Sequence, residues 1–136
     1  IGDGSMQMNI QELATIKHFK IPVKIFILDN NGYGLIKQTQ DTWLKSRRVG
    51  VDSRSGLAMP DLMKIANAYG IKTFEMNNHN EMGARLKEIL KSKVPVLCSV
   101  KIDEKQKVIP KLEFGRSIHD MSPRLSESEL SAEMIK

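Results

Sequence analysis

Three short apolar runs set the limits on what this chain can become. Residues 23–28, 71–76 and 94–102 are strand-sized and rich in Val, Ile and Phe. Each is preceded by a stretch whose apolar residues recur near the helical period. The first stripe, Met6, Ile10, Leu13, Ala14 and Ile16, follows Ser5 as a helix N-cap and runs to about Phe19. The second, Leu62, Met63, Ile65, Ala66 and Tyr69, opens with Pro60 in its first turn and stops at Gly70. The third spans residues 80–91, with Met82, Leu86, Ile89 and Leu90 inward. Strict alternation of helix and strand demands crossovers between parallel strands. The expected fold is therefore α/β, a three-layer, doubly wound parallel sheet with helices on both faces. Residues 23–28, nearly all apolar, suit a strand covered on both sides.

Composition narrows the function classes. With 136 residues, 40% hydrophobic and 27% charged, the chain has material for one globular core. No apolar run approaches the roughly 18 residues of a membrane span, so no membrane is expected. The net charge of +5 is spread along the chain, and its densest basic cluster is Lys45, Arg47 and Arg48. Aromatics at 5% offer no stacking platform, so no nucleic-acid partner is expected either. The single cysteine, Cys98, lies in an apolar run and reads as a buried, inert thiol in a reducing cytoplasm. Three scattered histidines, His18, His79 and His119, with no paired cysteine make no zinc pattern.

The chain opens with Ile1-Gly2-Asp3-Gly4-Ser5. A glycine pair around an acid belongs where a strand hands over to a helix, and only Ile1 stands for that strand. The expectation is an N-terminally truncated piece of a longer protein. Residues 1–102 then form a partial core domain, and 103–136 a tail with an acidic stretch, 126–133, able to form a short helix. Residues 35–57, polar and basic after a short helix through Gln40, are long for a connection in a compact domain, and long loops are often functional.

In open α/β sheets ligands bind beyond the carboxyl ends of the strands. Two loops qualify. Gly2-Asp3-Gly4-Ser5 places backbone N–H groups at a positive helix end, a ready phosphate site. Asp29-Asn30-Asn31-Gly32-Tyr33-Gly34 leaves the end of the strand at 23–28. If the strand before Gly2 lies beside residues 23–28, Asp3 faces Asn30 across a few ångströms. A carboxylate, an amide oxygen and a backbone carbonyl, completed by phosphate oxygens, are what Mg²⁺ accepts. Either motif alone is a common turn. Together, with 25 residues between Gly4 and Asn30, they leave room for one helix and one strand and fall where a metal-diphosphate site needs them.

Gly2-Asp3-Gly4, the 25-residue spacing and Asn30-Asn31 resemble the thiamin-diphosphate motif. The surrounding segments, residues 4–13, 22–28 and 31–38, look like the diphosphate-binding domain of acetolactate synthase and its relatives. The resemblance covers residues 1 to about 102 and continues more loosely from Pro110 to Pro123. It implies that Asp3 and Asn30 are side-chain ligands of Mg²⁺ and that the Gly32 carbonyl is a third. Asn31, one residue on, is equally capable as an oxygen ligand. Gly2, Gly4 and Ser5 would contact the diphosphate, while Tyr33, Gly34 and Leu35 would line its approach. Asp29 stands where many relatives carry Asn. Thr39 follows Gln38 where acetolactate synthases carry a Trp that shapes the acceptor pocket, and Trp43, four residues later, reads as a packing residue.

The same resemblance implies a substrate, a partner and what lies elsewhere. The substrate is a 2-oxo acid such as pyruvate, which is decarboxylated before the acyl anion equivalent passes to an acceptor carbonyl. The glutamate that hydrogen-bonds the aminopyrimidine comes from the pyrimidine-binding domain of a second subunit, in a homodimer or tetramer. No catalytic residue is therefore assigned within this chain, and any FAD would bind in another part of the parent protein. Residues 109–121 would fold over the cofactor as a lid or, equally, form a tail with no such role. The alternatives are a domain of a related 2-oxo-acid decarboxylase or other acyl transferase, or a non-catalytic nucleotide-binding α/β module.

Overall fold

The computed structural model describes residues 1–134. In chain order its first unit holds α1 (Asp3–Gln7), α2 (Glu12–His18), β1 (Lys24–Asp29), α3 (Gly34–Trp43), α4 (Leu62–Ala68), β2 (Lys72–Met76), α5 (His79–Lys91) and β3 (Val96–Lys101). The three strands form one parallel sheet in the order β1-β3-β2. The last of the three in sequence lies in the middle, paired on both edges, and is the most deeply buried: Val96, Leu97 and Cys98 are fully buried.

Across the sheet, Ile25, Leu97 and Thr73 stand side by side, and Phe26, Cys98 and Phe74 form the next row. The period of two sends these rows to opposite faces. On one face Met6, Leu13, Ile27, Ala66, Ile71 and Leu97 pack together, joining α1, α2 and α4 to the sheet. On the other, Phe74, Met76, Ile89, Val96 and Cys98 pack under α5. Helices thus cover both faces, and the three-layer α/β architecture expected from the alternation is the one observed. Burial is uneven, however. β1 is only half covered, with Leu28 exposed, so its apolar character does not make it the central strand.

Local boundaries differ in instructive ways. The single helix expected from Ser5 to Phe19 is two. α1 begins with Gly2 as its N-cap, so Ser5 sits inside the first turn instead of capping it. The amides of Met8, Asn9, Glu12, Leu13 and Ala14 bond carbonyls three residues back, Met8 to Ser5 and Asn9 to Met6 among them, which tightens the coil. Asn9, whose side chain competes for backbone groups, stands at this break. Pro60 lies outside α4, which is capped by Asp61 through the amides of Met63 and Lys64. Asn78 does the same for α5, which starts at His79.

The chain divides into two compact units, one over residues 1–106 and one from Lys107 onward. The second contains the antiparallel pair β4 (Lys111–Leu112) and β5 (Met121–Ser122) and a short α6 (Glu127–Glu133). Ser126 and Glu129 cap α6 reciprocally. Among the described residues, no helix is long and apolar enough to cross a membrane.

Candidate functional site

At the carboxyl end of β1 the chain's first residues run alongside. Gly2 makes a parallel bridge to Leu28, and the Leu28 amide donates to the Ile1 carbonyl at 2.8 Å. This pairing brings the Gly-Asp-Gly loop next to the Asn-Asn-Gly loop. Asp3, 2% exposed, accepts from the Gly4 amide at 2.8 Å through Oδ1 and from the Gly32 amide at 2.9 Å through Oδ2. The two loops therefore meet through one carboxylate.

The turn that follows β1 is built from its own side chains. Asp29 accepts from the Asn31 amide at 3.3 Å, an Asx turn, and Asn31 takes the left-handed conformation at φ 59°. As a result the two asparagines point to different places. One end of the Asn30 side-chain amide lies 3.2 Å from Asp3 Oδ1 and 2.8 Å from the Gly32 carbonyl oxygen, where its nitrogen donates to both. The Asn31 amide instead turns outward to Glu104 at 3.2 Å.

With the Asn30 oxygen turned inward instead, three oxygens from Asp3, Asn30 and Gly32 meet. Three acceptors share no proton, so this arrangement is repulsive by itself. With the amide turned over, the Asn30 nitrogen donates to both neighbours, and that form suits the site without a cation. A cation at the centre reverses the preference. Around octahedral Mg²⁺ with bonds of about 2.0–2.1 Å, adjacent oxygens lie about 2.9 Å apart, close to the separations here. The donor set, one carboxylate, one amide and one carbonyl, is hard oxygen throughout and fits such an ion.

Electrostatics at Asp3 points the same way. Burial pushes its carboxyl above the usual range and Asp29 adds to the rise, while the Gly4, Gly32 and Asn31 amides only partly offset it. Asp29 itself is also pushed up by burial, but its hydrogen bond and ion pair with Lys101, and the Ser99 hydroxyl, bring it below the ordinary value. Lys101 is thereby committed to Asp29.

Three glycines sit at close approaches, Gly34 among them, where a Cβ would come within 2.3 Å of the Asn30 side-chain amide. A Cβ on Gly4 would come within 2.5 Å of the Tyr33 ring, which lies against the loop backbone. A Cβ on Gly32 would come within 2.3 Å of the Val51 carbonyl. Ser5 and Leu35 are exposed, while Gly2, Tyr33 and Gly34 are half-buried. All sit at this sheet edge on α1, the turn or the start of α3. Thr39 bonds back to the Leu35 carbonyl at 3.0 Å within α3, and Trp43 is half-exposed at the end of that helix.

Sequence reasoning passed over Val51 and Asp52, both buried against this turn. Their signal was readable: Asp52-Ser53-Arg54-Ser55-Gly56 has the spacing of a capped turn, and Val51 is an isolated apolar residue in a polar stretch.

A parallel α/β sheet with a glycine-flanked carboxylate and an asparagine turn at its carboxyl edge defines a cofactor-binding domain of the open α/β class. The family model for the thiamine pyrophosphate enzyme C-terminal TPP binding domain matches residues 1–100. The chain belongs to this family of thiamin-diphosphate-binding domains. Among curated proteins it is similar to the acetolactate synthase large subunit of Porphyra purpurea, 38% identical over 116 residues, 85% of this chain and 19% of the relative. It is similar also to the acetolactate synthase isozyme 2 large subunit of Escherichia coli (strain K12), 35% identical over 92% of this chain and 22% of the relative. The mitochondrial acetolactate synthase of Schizosaccharomyces pombe is 35% identical over 87% of this chain and 17% of its own length. The chain thus spans about a fifth of the length of these relatives.

Proposed function

We propose that this chain supplies the diphosphate- and Mg²⁺-binding half of the active site of an acetolactate-synthase-like enzyme. The observation that carries the reading is the Asn30 side-chain amide set between Asp3 Oδ1, at 3.2 Å, and the Gly32 carbonyl, at 2.8 Å, where turning its oxygen inward gathers three oxygens that a cation would satisfy. In this reading Asp3 and Asn30 ligate Mg²⁺ through their side chains and Gly32 through its carbonyl. Gly2, Gly4 and Ser5 present backbone to the diphosphate, and Tyr33, Gly34 and Leu35 line its approach. The chemistry at such a site, decarboxylation of a 2-oxo acid and transfer of the acyl anion equivalent to an acceptor carbonyl, belongs to thiamin diphosphate. The chain's own residues bind, orient and neutralise.

Pyruvate is the substrate the resemblance to acetolactate synthases favours. The pyrimidine-binding domain of a second subunit, in a homodimer or tetramer, supplies the activating glutamate. FAD, where the parent protein uses it, binds elsewhere. Burial raises the Cys98 thiol above its ordinary value, which suits the inert role that a reducing cytoplasm would allow. Thr39, where acetolactate synthases carry Trp, keeps a second reading in view: a decarboxylase or other acyl transferase with an altered acceptor pocket.

The test uses the longest natural chain that contains this segment. Asp3→Ala should abolish Mg²⁺-dependent binding of thiamin diphosphate measured by calorimetry, and unchanged affinity overturns the metal assignment. With pyruvate, Mg²⁺ and thiamin diphosphate, acetolactate as product supports the first reading and acetaldehyde the second.

A further inference from the structure

Residues 44–57 carry no regular element beyond one 3₁₀ turn at Ser53–Ser55, yet they hold one of only two buried carboxylates among the described residues. Asp52 is 7% exposed. Its Oδ1 accepts from the Ser55 amide at 3.0 Å and hydroxyl at 2.8 Å. Its Oδ2 lies 3.7 Å from Lys37 Nζ and 3.5 Å from Arg48 Nη1. The same Arg48 makes a two-pronged pair with Asp41, both bonds at 2.8 Å. Gln40 exchanges two further bonds with the Val49 backbone, at 3.2 and 3.0 Å.

Lys37, Gln40 and Asp41 recur at the three- and four-residue spacing that shares one face of a helix. That face of α3 grips the loop at three successive points. Nothing in α3 is fully buried, so its seat against the loop is polar rather than a piece of the core.

What the closed loop does is visible at its tip. Val51, 1% exposed, accepts the Tyr33 amide at 3.0 Å, and its carbonyl covers Gly32 so closely that a Cβ there has no room. Gly32 is the residue whose carbonyl completes the oxygen trio, and the Tyr33 ring lies on Gly4. The Ser55 hydroxyl in turn holds the Val51 and Asp52 amides at 3.0 and 2.9 Å.

We propose that Asp52 is a positioning residue for the Asp3–Asn30–Gly32 oxygen site. By holding the loop to Ser55, Lys37 and Arg48, it seats the Val51 carbonyl on Tyr33 and sets the direction of the Gly32 carbonyl. It touches neither metal nor cofactor. This inference rests on the functional reading above and adds a residue that the glycine and asparagine motifs do not contain.

The experiment compares Asp52→Ala, Asp52→Asn and Ser55→Ala with Asp3→Ala in the longest natural chain. Two quantities are read: Mg²⁺ affinity in thiamin diphosphate binding by calorimetry, and hydrogen exchange of the Tyr33 amide in metal-free protein, with thermal unfolding as the check on folding. Asp52→Ala should weaken Mg²⁺ affinity about tenfold, the scale of losses when a partner behind a ligand is removed. It should also unprotect the Tyr33 amide while the unfolding transition remains. Asp52→Asn, which keeps an acceptor for Ser55 but not the charge, should recover part of both. Wild-type affinity or wild-type Tyr33 protection in Asp52→Ala overturns the proposal. If Asp52→Ala does not fold, Ser55→Ala decides by the same two readings. If Asp3→Ala loses binding while the loop variants do not, the positioning role alone fails. If Asp3→Ala binds as wild type, the site reading fails and takes the positioning role with it.

Discussion

The chain buries two carboxylates, Asp3 and Asp52, and treats them in opposite ways. Asp52 is finished by the chain itself: Ser55 donates twice, Lys37 and Arg48 stand beside it, and its carboxyl is held below the ordinary range, the Ser55 hydroxyl bond first among the causes. Asp3 receives two backbone amides, has no ion pair among the described residues, and is pushed upward by burial. Burying a charge without a counter-charge is costly, and chains keep such a feature where something else completes it. The contrast marks Asp52 as a structural carboxylate and Asp3 as the one the proposed binding role requires, without reference to motif. Under the positioning proposal the loop that carries Asn30 and Gly32 depends on the one that carries Asp52, because the two meet across Gly32.

The sharpest way to break the comparison is to delete the unpaired charge. Asp3→Ala should cost all measurable Mg²⁺-dependent cofactor binding, a loss of more than about a hundredfold given what even indirect partners of a metal contribute. Its cost to stability should be small, within about 1 kcal/mol, because the two amide bonds lost are offset by relief of an uncompensated buried charge. Binding lost with the unfolding midpoint nearly unmoved is the expected pattern. A large drop in the midpoint would make Asp3 structural and erase the distinction.

Gly32→Ala attacks the point where the two regions touch. The new Cβ would sit 2.3 Å from the Val51 carbonyl, a backbone atom that moves only if the loop does. Overpacking of this kind costs about 1–3 kcal/mol. Because the loop and the Gly32 carbonyl move together, cofactor affinity should fall with stability, unlike in Asp3→Ala. Denaturant unfolding and calorimetry on the same sample check both. Stability lost with affinity intact would mean that the loop and the oxygen site are independent.

How much of this could be read from residues alone follows the same division. The sheet was legible because alternation of apolar runs and helical stripes admits few layouts. The placement of Asp3 against Asn30 was legible because two glycine-rich turns at a 25-residue spacing end at one sheet edge. The break between α1 and α2 was not, since Met6, Ile10 and Leu13 keep helical spacing through it and the tightening shows only in which carbonyl each amide finds. Nor was the central position of β3, which depends on what covers each strand. The order in residues 44–57 escaped for another reason. Its bonds run to Lys37, Gln40 and Asp41 on α3, and pattern reading registers polar residues there only as a solvated face.

A smaller effect tests the structural carboxylate's support. Ser55→Ala removes a hydroxyl that touches four groups, the amides of Val51 and Asp52, the Asp52 carbonyl and the Asp52 carboxylate. Loss of a capping side chain of this kind costs about 1 kcal/mol. The unfolding midpoint should drop accordingly, and the Tyr33 amide should exchange faster than in Asp3→Ala. Equal Tyr33 exchange in the two variants would show that the binding loop holds its shape without the structural one.

The smallest effect separates the two asparagines. Asn31 sits at φ 59°, a left-handed conformation that glycine adopts freely and that costs most other residues about 1–2 kcal/mol. Its side chain is spent on an exposed bond to Glu104, away from the oxygen trio. In Asn31→Gly the lost surface bond and the greater freedom of the unfolded chain oppose the relief at φ, so the net change in stability should stay within about 0.5 kcal/mol. Asn31→Ala, which keeps a Cβ in the left-handed region, should cost about 1 kcal/mol more than Asn31→Gly. Mg²⁺-dependent binding should be the same in both, because neither touches Asp3, Asn30 or the Gly32 carbonyl. Asn30→Ala in the same assay should lose binding. If Asn31→Gly loses binding as Asn30→Ala does, the amide that serves the metal is the one the turn directs outward, and the loop must rearrange when the cation arrives.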